Sequence, residues 1–289
     1  MQATVNVNGT IGDAAHAVVS VFDHGFLYGE GVYETLRTYG GEPFLFARHA
    51  RRLRHSADLI ALLLPCSVAE LRERVDETLR AAALTSEAYI RILVTRGVGD
   101  LSYDVRATPD PTLVIIVKPH AEPPAALYDD GARVSLVSVV RNHPATVSPL
   151  IKSNNLMNSA LAMQEAIRAG GVEAVMRNYR GEIAECSTAN LFVVRDGAVL
   201  TPPVDAGLLP GITREFLFEV AGREGVPMRE ATLLDDELFA ADEVFLSSTT
   251  REVLPIVRVD DRVVGDGRPG PLTRRLLAAF RRDAQARPT

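Results

Sequence analysis

Residues 32–46 read VYETLRTYGGEPFLF. Polar and apolar side chains alternate along residues 32–39, and a period of two is typical of a half-buried β-strand. Gly40 and Gly41 then give the backbone the freedom that a tight turn requires, and residues 43–46 continue as a second apolar run. The stretch therefore predicts a β-hairpin in the first part of the chain.

Helical patterns follow this hairpin. Apolar and basic residues recur at helical spacing over residues 47–64, and Pro65 ends the run. Ser67 with Glu70 three residues later has the spacing of a capping box, which predicts the start of a second helix. The hairpin is thus expected to be followed by two helices.

The chain divides into two predicted domains. Residues 119–126, PHAEPPAA, are its most proline-rich part, and we assign residues 120–131 to an interdomain linker. Residues 1–119 are predicted to form a small N-terminal α/β domain. Residues 132–289 are predicted to form a larger C-terminal domain, with helices at residues 154–169, 213–224, 235–239 and 271–283. Strands and helices alternate without the regular spacing of a doubly wound sheet, so the fold class is α/β or α+β.

Charge and composition exclude several classes of protein. The 289 residues include 31 Lys and Arg against 37 Asp and Glu, and a net charge of −6 argues against a nucleic-acid-binding protein. No apolar run reaches the roughly 20 residues of a membrane span. Two cysteines are too few for a disulfide scaffold, and the six histidines lack metal-ligand spacing, so no metal site is predicted. We expect a soluble, cytoplasmic protein.

Lysine is scarce, which narrows the search for amine chemistry. Among 31 basic residues, only Lys118 and Lys152 are lysines. Lys152 lies between the apolar residues 149–151 and the polar residues 153–155, where a helix begins, so its amine could lose solvent and act as a nucleophile. Lys118 directly precedes Pro119 and is interpreted as a surface or linker lysine. Most lysines are solvated surface charges, and position alone leaves that alternative open for Lys152 as well.

Several other patterns could bind an anion or a polar ligand. Residues 182–192, EIAECSTANLF, place a carboxylate before small polar residues, as a site or as an ordinary loop. Residues 211–213, GIT, open a predicted helix whose N–H groups and dipole favour a phosphate, although a simple cap fits equally well. Three further patterns could belong either to a binding site or to ordinary surface structure. They are the hydroxyl run at 247–250, the basic residues at 49–53, and the glycine-rich residues 23–34 with Tyr28 and Tyr33. Tyr89 and Arg91 share one strand face and could clamp a carboxylate, although an amphipathic edge strand would show the same alternation.

Together and in this order, the motifs resemble the fold-type IV pyridoxal-phosphate enzymes, which include branched-chain aminotransferases, D-amino acid transaminases, (R)-amine transaminases and aminodeoxychorismate lyase. The resemblance spans nearly the whole chain and rests on DHGFLYGEGVYETLR, HARRL, YIRILVTRGVGDL, IKSNNLMNSALA, EIAECSTANLFVV, GITRE and FLSSTTREVLPI. It implies a small α/β domain and a larger, cofactor-binding domain with a barrel-like sheet. It also implies pyridoxal 5'-phosphate as the cofactor and a homodimer as the active unit.

The resemblance further implies roles for individual residues. Lys152 matches the lysine that holds the cofactor as a Schiff base, and Glu185 matches the carboxylate that pairs with the pyridine nitrogen. The cofactor phosphate would be bound by Arg52, Ile212, Thr213, Ser248 and Thr249, and the cofactor ring would pack on Leu209. The substrate pocket would be lined by Tyr28, Tyr33, Tyr89, Arg91 and Thr250.

The resemblance predicts a substrate class and an alternative. The sequence YIR followed by TRGVGDL resembles the branched-chain group, so we expect an amino group to move from a branched-chain L-amino acid to 2-oxoglutarate or another oxo acid. A D-amino acid or (R)-amine transaminase is the alternative, because IKSNNL resembles the D-amino acid type, although residues 97–103 lack the Arg and His that one such type carries. The lyase is less favoured, since its arginine-rich loop is not matched. Lys152 and Glu185 are both present, which argues against a non-catalytic relative.

Overall fold

The computed structural model describes residues 3–286, which form two compact units. Among these residues, unit 1 contains residues 3–121 and 151–155, and unit 2 contains residues 122–150 and 156–286. The change of unit at residue 121 falls inside the linker range proposed from the sequence. Each unit has its own sheet and its own core.

Two short segments differ from the expected arrangement. Residues 126–129, inside the proposed linker, form a helical turn of unit 2. Residues 151–155, which contain Lys152, group with unit 1 although the sequence placed them in the C-terminal domain. The cause is backbone pairing: the Asn154 N–H donates to the Gly31 carbonyl at 3.1 Å, and Ser153 forms a β-bridge with Val32.

Unit 1 is built around a six-stranded antiparallel sheet. Its strands are β1 (Thr4–Val7), β2 (Thr10–Asp13), β3 (Gly31–Tyr39), β4 (Glu42–Pro43), β5 (Ala88–Thr95) and β6 (Thr112–Pro119), in the spatial order β2-β1-β6-β5-β3-β4. Its helices are α1 (His24–Leu27), α2 (Phe46–Asp58) and α3 (Val68–Ala82). The predicted hairpin corresponds to β3 and β4, but its second strand is short. Leu45 adopts a left-handed backbone and α2 begins directly after it.

Side-chain alternation gives the unit 1 sheet two different faces. Val32, Leu36 and Ile90 lie on one face, are fully buried, and belong to the cluster formed with side chains of α2 and α3. Burying such a side chain contributes roughly 1.5–3 kcal/mol. Tyr33 and Arg91 lie on the opposite face and are half-buried. One face therefore stabilises the unit and the other is available for polar chemistry.

The first of the two helices is shorter than its apolar pattern predicts. α2 ends at Asp58 rather than near residue 64, and Ala61 adopts a left-handed backbone with φ of 49°. Leu62 is still buried, because the segment after the helix packs on the same core.

The predicted capping box of α3 is confirmed, with Ser67 and Glu70 each accepting a hydrogen bond from the backbone N–H of the other.

Unit 2 is built around a nine-stranded sheet. Its strands are β7 (Ala132–Leu136), β8 (Ala174–Arg177), β9 (Ile183–Cys186), β10 (Asn190–Arg195), β11 (Ala198–Thr201), β12 (Met228–Glu230), β13 (Glu243–Ser248), β14 (Glu252–Val259) and β15 (Arg262–Val263). Its helices are α4 (Ala126–Asp129), α5 (Met157–Arg168), α6 (Ile212–Arg223), α7 (Asp235–Phe239) and α8 (Pro271–Ala286). Within residues 3–286, no helix combines the length and apolarity that crossing a membrane requires.

The unit 2 sheet curls on itself. Its spatial order is β12-β11-β10-β13-β14-β7-β8-β9, with β15 paired to β14. β9 lies at one end of this order yet also contacts β10, and the Cys186 N–H donates to the Ala189 carbonyl at 2.8 Å where the two strands connect. The predicted mixed α/β fold, with a small domain and a larger domain containing a barrel-like sheet, is confirmed.

The central strands of unit 2 are covered on both faces. Leu191 and Leu246 belong to one buried cluster, while Phe192 and Phe245 point to the other face and stack with their ring centroids 4.7 Å apart. Strands buried on both sides are apolar almost without interruption, as residues 191–194 are. Such strands form a rigid support for the polar residues at their ends.

Candidate active site

Lys152 is fixed at the edge of the unit 1 sheet by its own backbone. Its N–H donates to the Ser56 hydroxyl at 3.1 Å, and its carbonyl accepts the Tyr33 N–H at 2.9 Å. The Lys152 Nζ lies 4.5 Å from the centroid of the Tyr33 ring, within cation–π distance. The amine is therefore presented at a defined position on the polar face of the sheet.

Tyr33 also contacts a second cation. The Arg91 guanidinium carbon lies 4.1 Å from the Tyr33 ring centroid. Tyr89 is two residues before Arg91 on β5 and so shares its face, as the sequence predicts. The Tyr89 ring lies 5.0 Å from the Lys118 Nζ, so Lys118 is a residue of β6 on this face rather than a linker lysine. Tyr33 thus brings the Lys152 amine and the Arg91 guanidinium onto one ring.

Tyr28 contacts the loop that follows β5. Its ring packs edge-on against His24 at 4.9 Å and lies 5.1 Å from the ring of Tyr103. The buried His24 holds the same loop, since its Nε2 is 2.8 Å from the Asp100 carbonyl. The loop at residues 97–103, which the sequence singled out for substrate choice, is therefore anchored to the segment that carries Tyr28.

Arg52 is held by a buried carboxylate, Glu34, that was not among the predicted site residues. Glu34 is a fully buried residue of β3 that faces α2, and it accepts Arg52 Nε and Nη2 at 2.8 Å each. His49 Nδ1 lies 2.7 Å from the same carboxylate. A two-point ion pair fixes the direction of a guanidinium. The sequence contains one indication of this ion pair: Glu34 lies between Val32 and Leu36, at a position where the strand alternation predicts an apolar residue.

The charges in this cluster follow from its burial. Burial alone would raise the pKa of Glu34, but the charges and hydrogen bonds of Arg52 and His49 outweigh it and lower that pKa to about 2. Burial lowers the pKa of His49 more than the attraction of Glu34 raises it, and the nearby charges of Arg52 and Lys152 lower it further. Glu34 is thus a carboxylate, and His49 is a neutral imidazole whose Nδ1–H donates to it.

Neutralising Glu34 is expected to weaken the acid dependence of stability. Its pKa is about 2 in the fold against an ordinary 4.5, so ionised Glu34 contributes stability above pH 4.5, and up to about 3 kcal/mol is lost as the pH falls toward 2. The Glu34→Gln apoprotein should unfold at lower urea concentration at neutral pH and show a flatter change of the urea midpoint between about pH 5 and pH 2.5. Glu73→Gln, on the exposed face of α3, is the control. An acid slope in Glu34→Gln as steep as in the unchanged protein would contradict the assignment.

Glu185 is a buried carboxylate of β9 in unit 2. Its Oε1 accepts Arg141 Nε at 2.6 Å, and its Oε2 accepts the Leu209 N–H at 3.2 Å and Asn190 Nδ2 at 3.4 Å. Only 7% of the Glu185 side chain is exposed. Arg141 was missed from the sequence, because it lies beyond β7 in a segment without strand or helix, 44 residues from its partner. The arrangement provides a buried, oriented anion.

The start of α6 offers backbone donors for an anion. Gly211 precedes the helix in an extended conformation and, as a glycine, forms no side-chain cap of its own. A Cβ atom at Gly211 would lie 2.0 Å from Asn190 Oδ1, so a larger residue here would have to displace the Asn190 side chain. The amides of Ile212 and Thr213 occupy the first turn, where the helix dipole favours negative charge. Ile212 and Thr213, which the resemblance assigns to the phosphate, thus lie in the first turn of α6.

A hydroxyl-rich turn follows β13. Ser248 pairs with Glu252 across the β13–β14 hairpin, which leaves residues 249–251 as the connection. Ser248, Thr249 and Thr250 are all half-buried at this tip. The structure thus places the predicted residues in two groups: Tyr28, Tyr33, Arg52, Tyr89, Arg91 and Lys152 in unit 1, and Glu185, Leu209, Ile212, Thr213, Ser248, Thr249 and Thr250 in unit 2.

Comparison with known proteins identifies the family. A family model for class IV amino-transferases matches residues 31–259. A Methanocaldococcus jannaschii protein, named by inference a branched-chain-amino-acid aminotransferase, is 39% identical over 277 residues, which cover 96% of this chain and 95% of the relative. The D-alanine aminotransferase of Staphylococcus haemolyticus is 35% identical over 289 residues, or 98% of each chain. The structure of the branched-chain aminotransferase from the archaeon Thermoproteus uzoniensis with norvaline matches with a TM-score of 0.91 at 34% identity, covering 98% of this chain and 95% of that one. The chain therefore belongs to the class IV aminotransferases.

Proposed function

We propose that this aminotransferase binds pyridoxal 5'-phosphate through Lys152 and transfers the amino group of a branched-chain L-amino acid to 2-oxoglutarate or another oxo acid. The observation that carries the proposal is the position of Lys152: two hydrogen bonds fix its backbone, and its amine lies against the Tyr33 ring, which Arg91 also contacts. An amine and a guanidinium at the same tyrosine ring fit an amino acid substrate, which needs proton transfer at its Cα and recognition of its carboxylate.

The donor groups of the chain fit this cofactor. An aldehyde needs an amine such as that of Lys152, and a pyridine nitrogen needs a buried carboxylate such as Glu185. A phosphate needs N–H and hydroxyl donors, which the start of α6 and the turn at 248–250 provide. Arg52 supplies a cation whose direction Glu34 fixes. Each chemical part of the cofactor has a matching residue type.

When bound, pyridoxal phosphate supplies an aldehyde carbon and an electron-withdrawing ring. Lys152 Nζ would hold that carbon until an amino donor displaces it, then take a proton from the substrate Cα and later return one as a general acid. Glu185 would hold a proton at the ring nitrogen, and Arg141 and the Leu209 N–H already orient its carboxylate for this. Arg91, with Tyr89 on the same strand face, would bind the α-carboxylate of the substrate.

Two substrate classes have support. The branched-chain class is supported by the names of the Methanocaldococcus relative and of the Thermoproteus structure. The loop at residues 97–103 adds to this support, because it contains no Arg or His. The alternative, a D-amino acid or (R)-amine transaminase, is supported by a D-alanine aminotransferase that matches over 98% of each chain.

Half-reaction rates with single amino donors test the proposal. The protein loaded with pyridoxal phosphate is mixed separately with L-leucine, D-alanine, D-glutamate and (R)-1-phenylethylamine, and the loss of the visible absorption band is followed. We expect L-leucine to react at least about tenfold faster than the other three, because discrimination between donors reflects different transition-state binding. Fast reaction with D-alanine and none with L-leucine would instead establish the alternative. A protein that gains no visible absorption with the cofactor would refute cofactor binding.

We further propose that the active unit is a homodimer. Unit 1 exposes large apolar side chains around residues 18–26 and 98–105, among them Val18, Phe26, Leu101 and Tyr103 at 70% or more. Exposed apolar groups of this size are typical of interfaces. A mass in sedimentation equilibrium of twice 31.3 kDa would support the dimer, and 31.3 kDa would contradict it.

A cytoplasmic location is also proposed, since Cys66 and Cys186 are both free thiols.

A further inference from the structure

Glu173 is a buried carboxylate that the proposed mechanism leaves without a role. Its side chain is 0% exposed and it directly precedes β8. One oxygen accepts the N–H groups of Ala174 and Ser187, at 2.9 and 3.1 Å, and the Ser187 hydroxyl. The other accepts the Thr188 hydroxyl at 2.6 Å and Arg251 Nη2 at 2.7 Å. Glu173 therefore joins three segments of unit 2.

Arg251 connects this carboxylate to the hydroxyl-rich turn. It is the last residue of the β13–β14 connection, and its Nη2 also donates to the Thr188 hydroxyl at 2.7 Å. Its Nε lies 3.4 Å from Ser248 Oγ, and its carbonyl accepts the Tyr128 hydroxyl at 3.1 Å. Only 17% of the side chain is exposed. The guanidinium thus points into unit 2 and ties the turn to it.

Stability alone does not account for such a network. Burying an ion pair costs several kcal/mol of desolvation, and well-packed apolar residues often stabilise a fold equally well. Unlike apolar packing, the network fixes the relative positions of its members through directional hydrogen bonds. It links residues 187–188, directly after the strand that carries Glu185, to the turn at 248–250. The left-handed backbone of Glu252, with φ of 53°, closes the same turn.

We propose that Glu173 and Arg251 are positioning residues that hold the turn at 248–250 in the conformation that binds the cofactor phosphate. The inference rests on the proposed function. Because Glu173 neutralises the Arg251 charge, Arg251 acts by orienting the turn. The phosphate itself would be contacted by the hydroxyl and amide groups of Ser248 and Thr249. Thr188 bridges the two charged groups and transmits the position of β9 to the turn.

The test compares two ligands that differ only in the phosphate. Dissociation constants for pyridoxal 5'-phosphate and pyridoxal are measured from the visible absorption change, for the unchanged protein and for Arg251→Met, which keeps side-chain length but removes the donors. We expect the constant for the phosphorylated ligand to rise about tenfold or more, and that for pyridoxal to change less than about twofold. Glu173→Gln should shift the same ratio in the same direction.

A matched control separates positioning from general destabilisation. Arg177 forms a two-point ion pair with Asp235 at 2.8 and 2.6 Å, elsewhere in unit 2, and Arg177→Met should leave the ratio of the two constants unchanged. If Arg251→Met does not fold, Arg251→Lys keeps the charge and should give an intermediate ratio. Thermal stabilisation of the apoprotein by inorganic phosphate is a second readout, and it should be reduced in the Arg251 variants.

The outcomes distinguish this inference from the function on which it rests. An unchanged protein that binds neither ligand refutes the proposed cofactor and this inference with it. An unchanged protein that prefers the phosphorylated ligand, with an Arg251→Met variant that keeps the full preference, overturns only the positioning role. Equal losses for both ligands also overturn it, because they show a general disturbance rather than a change at the phosphate turn.

Discussion

Replacing Lys152 by alanine is expected to reduce transamination by at least about 10⁴-fold, because both the covalent attachment and the proton transfer at the substrate Cα depend on this amine. The loss should fall on kcat for every donor, since a residue that acts on the reacting atoms is needed whichever side chain the substrate carries. The visible absorption band that forms when cofactor is added should also be absent. Steady-state kinetics with L-leucine and 2-oxoglutarate, together with an absorption spectrum, measure both effects.

Lys118→Ala is the matched control for this experiment. Lys118 is the other lysine of the chain, and like Lys152 it lies against a tyrosine ring, that of Tyr89. We expect this variant to keep the absorption band and to lose less than about tenfold in kcat, because its amine takes part in no proposed step. Loss of the band in Lys118→Ala and its retention in Lys152→Ala would show that the wrong lysine had been chosen.

Glu185→Gln is expected to lower kcat by about 10²–10³-fold, the range found when a group aimed at developing charge is removed. A neutral amide would stabilise a protonated pyridine nitrogen much less than the Glu185 carboxylate would, so a bound cofactor ring would withdraw less electron density from the substrate Cα. The change keeps the size of the side chain, but the partners of Glu185, above all Arg141, would face an amide in place of a carboxylate. Single-turnover rates with L-leucine measure the chemical step directly.

Glu182→Gln provides the comparison for Glu185. Glu182 lies three residues earlier in the same motif and also forms an ion pair, with Arg180. It has no proposed part in the chemistry, so its variant should react within about twofold of the unchanged protein. If Glu185→Gln reacted equally fast, the carboxylate would have no electronic role, and its buried contacts with Arg141 and Leu209 would then be structural.

Interactions between residues close in sequence were predictable. The capping box of Ser67 and Glu70 joins residues three positions apart, and the alternation in β3 needs only the period of a strand. The end of α2 was not predictable in this way. Apolar residues beyond Asp58 resemble a continuing helix, but three of them, Ile60, Leu62 and Leu64, pack on the same core from the chain after the helix.

Partners distant in sequence could not be derived from local patterns. Arg141 and Glu185 are 44 residues apart, and Glu173 and Arg251 are 78 residues apart. Nothing in the residues around Arg141 indicates a buried carboxylate partner, since an arginine in an irregular segment is ordinarily solvated. Glu34 is an intermediate case. The sequence shows that it is a polar residue at a position that faces the core, but it does not show that its partners are His49 and Arg52 on α2.

The sequence by itself determined the class of fold, the order of its motifs and, through their resemblance to a known family, the candidate lysine and carboxylate. These depend on residue type and short-range spacing, which the chain carries wherever it folds. Only the tertiary structure decided that residues 151–155 join the sheet of unit 1, that Glu34 orients Arg52, and that Glu173 pairs with Arg251. The physical reason is burial: a charge removed from water must find its partner in space, and distant segments of the chain meet only when the fold is complete.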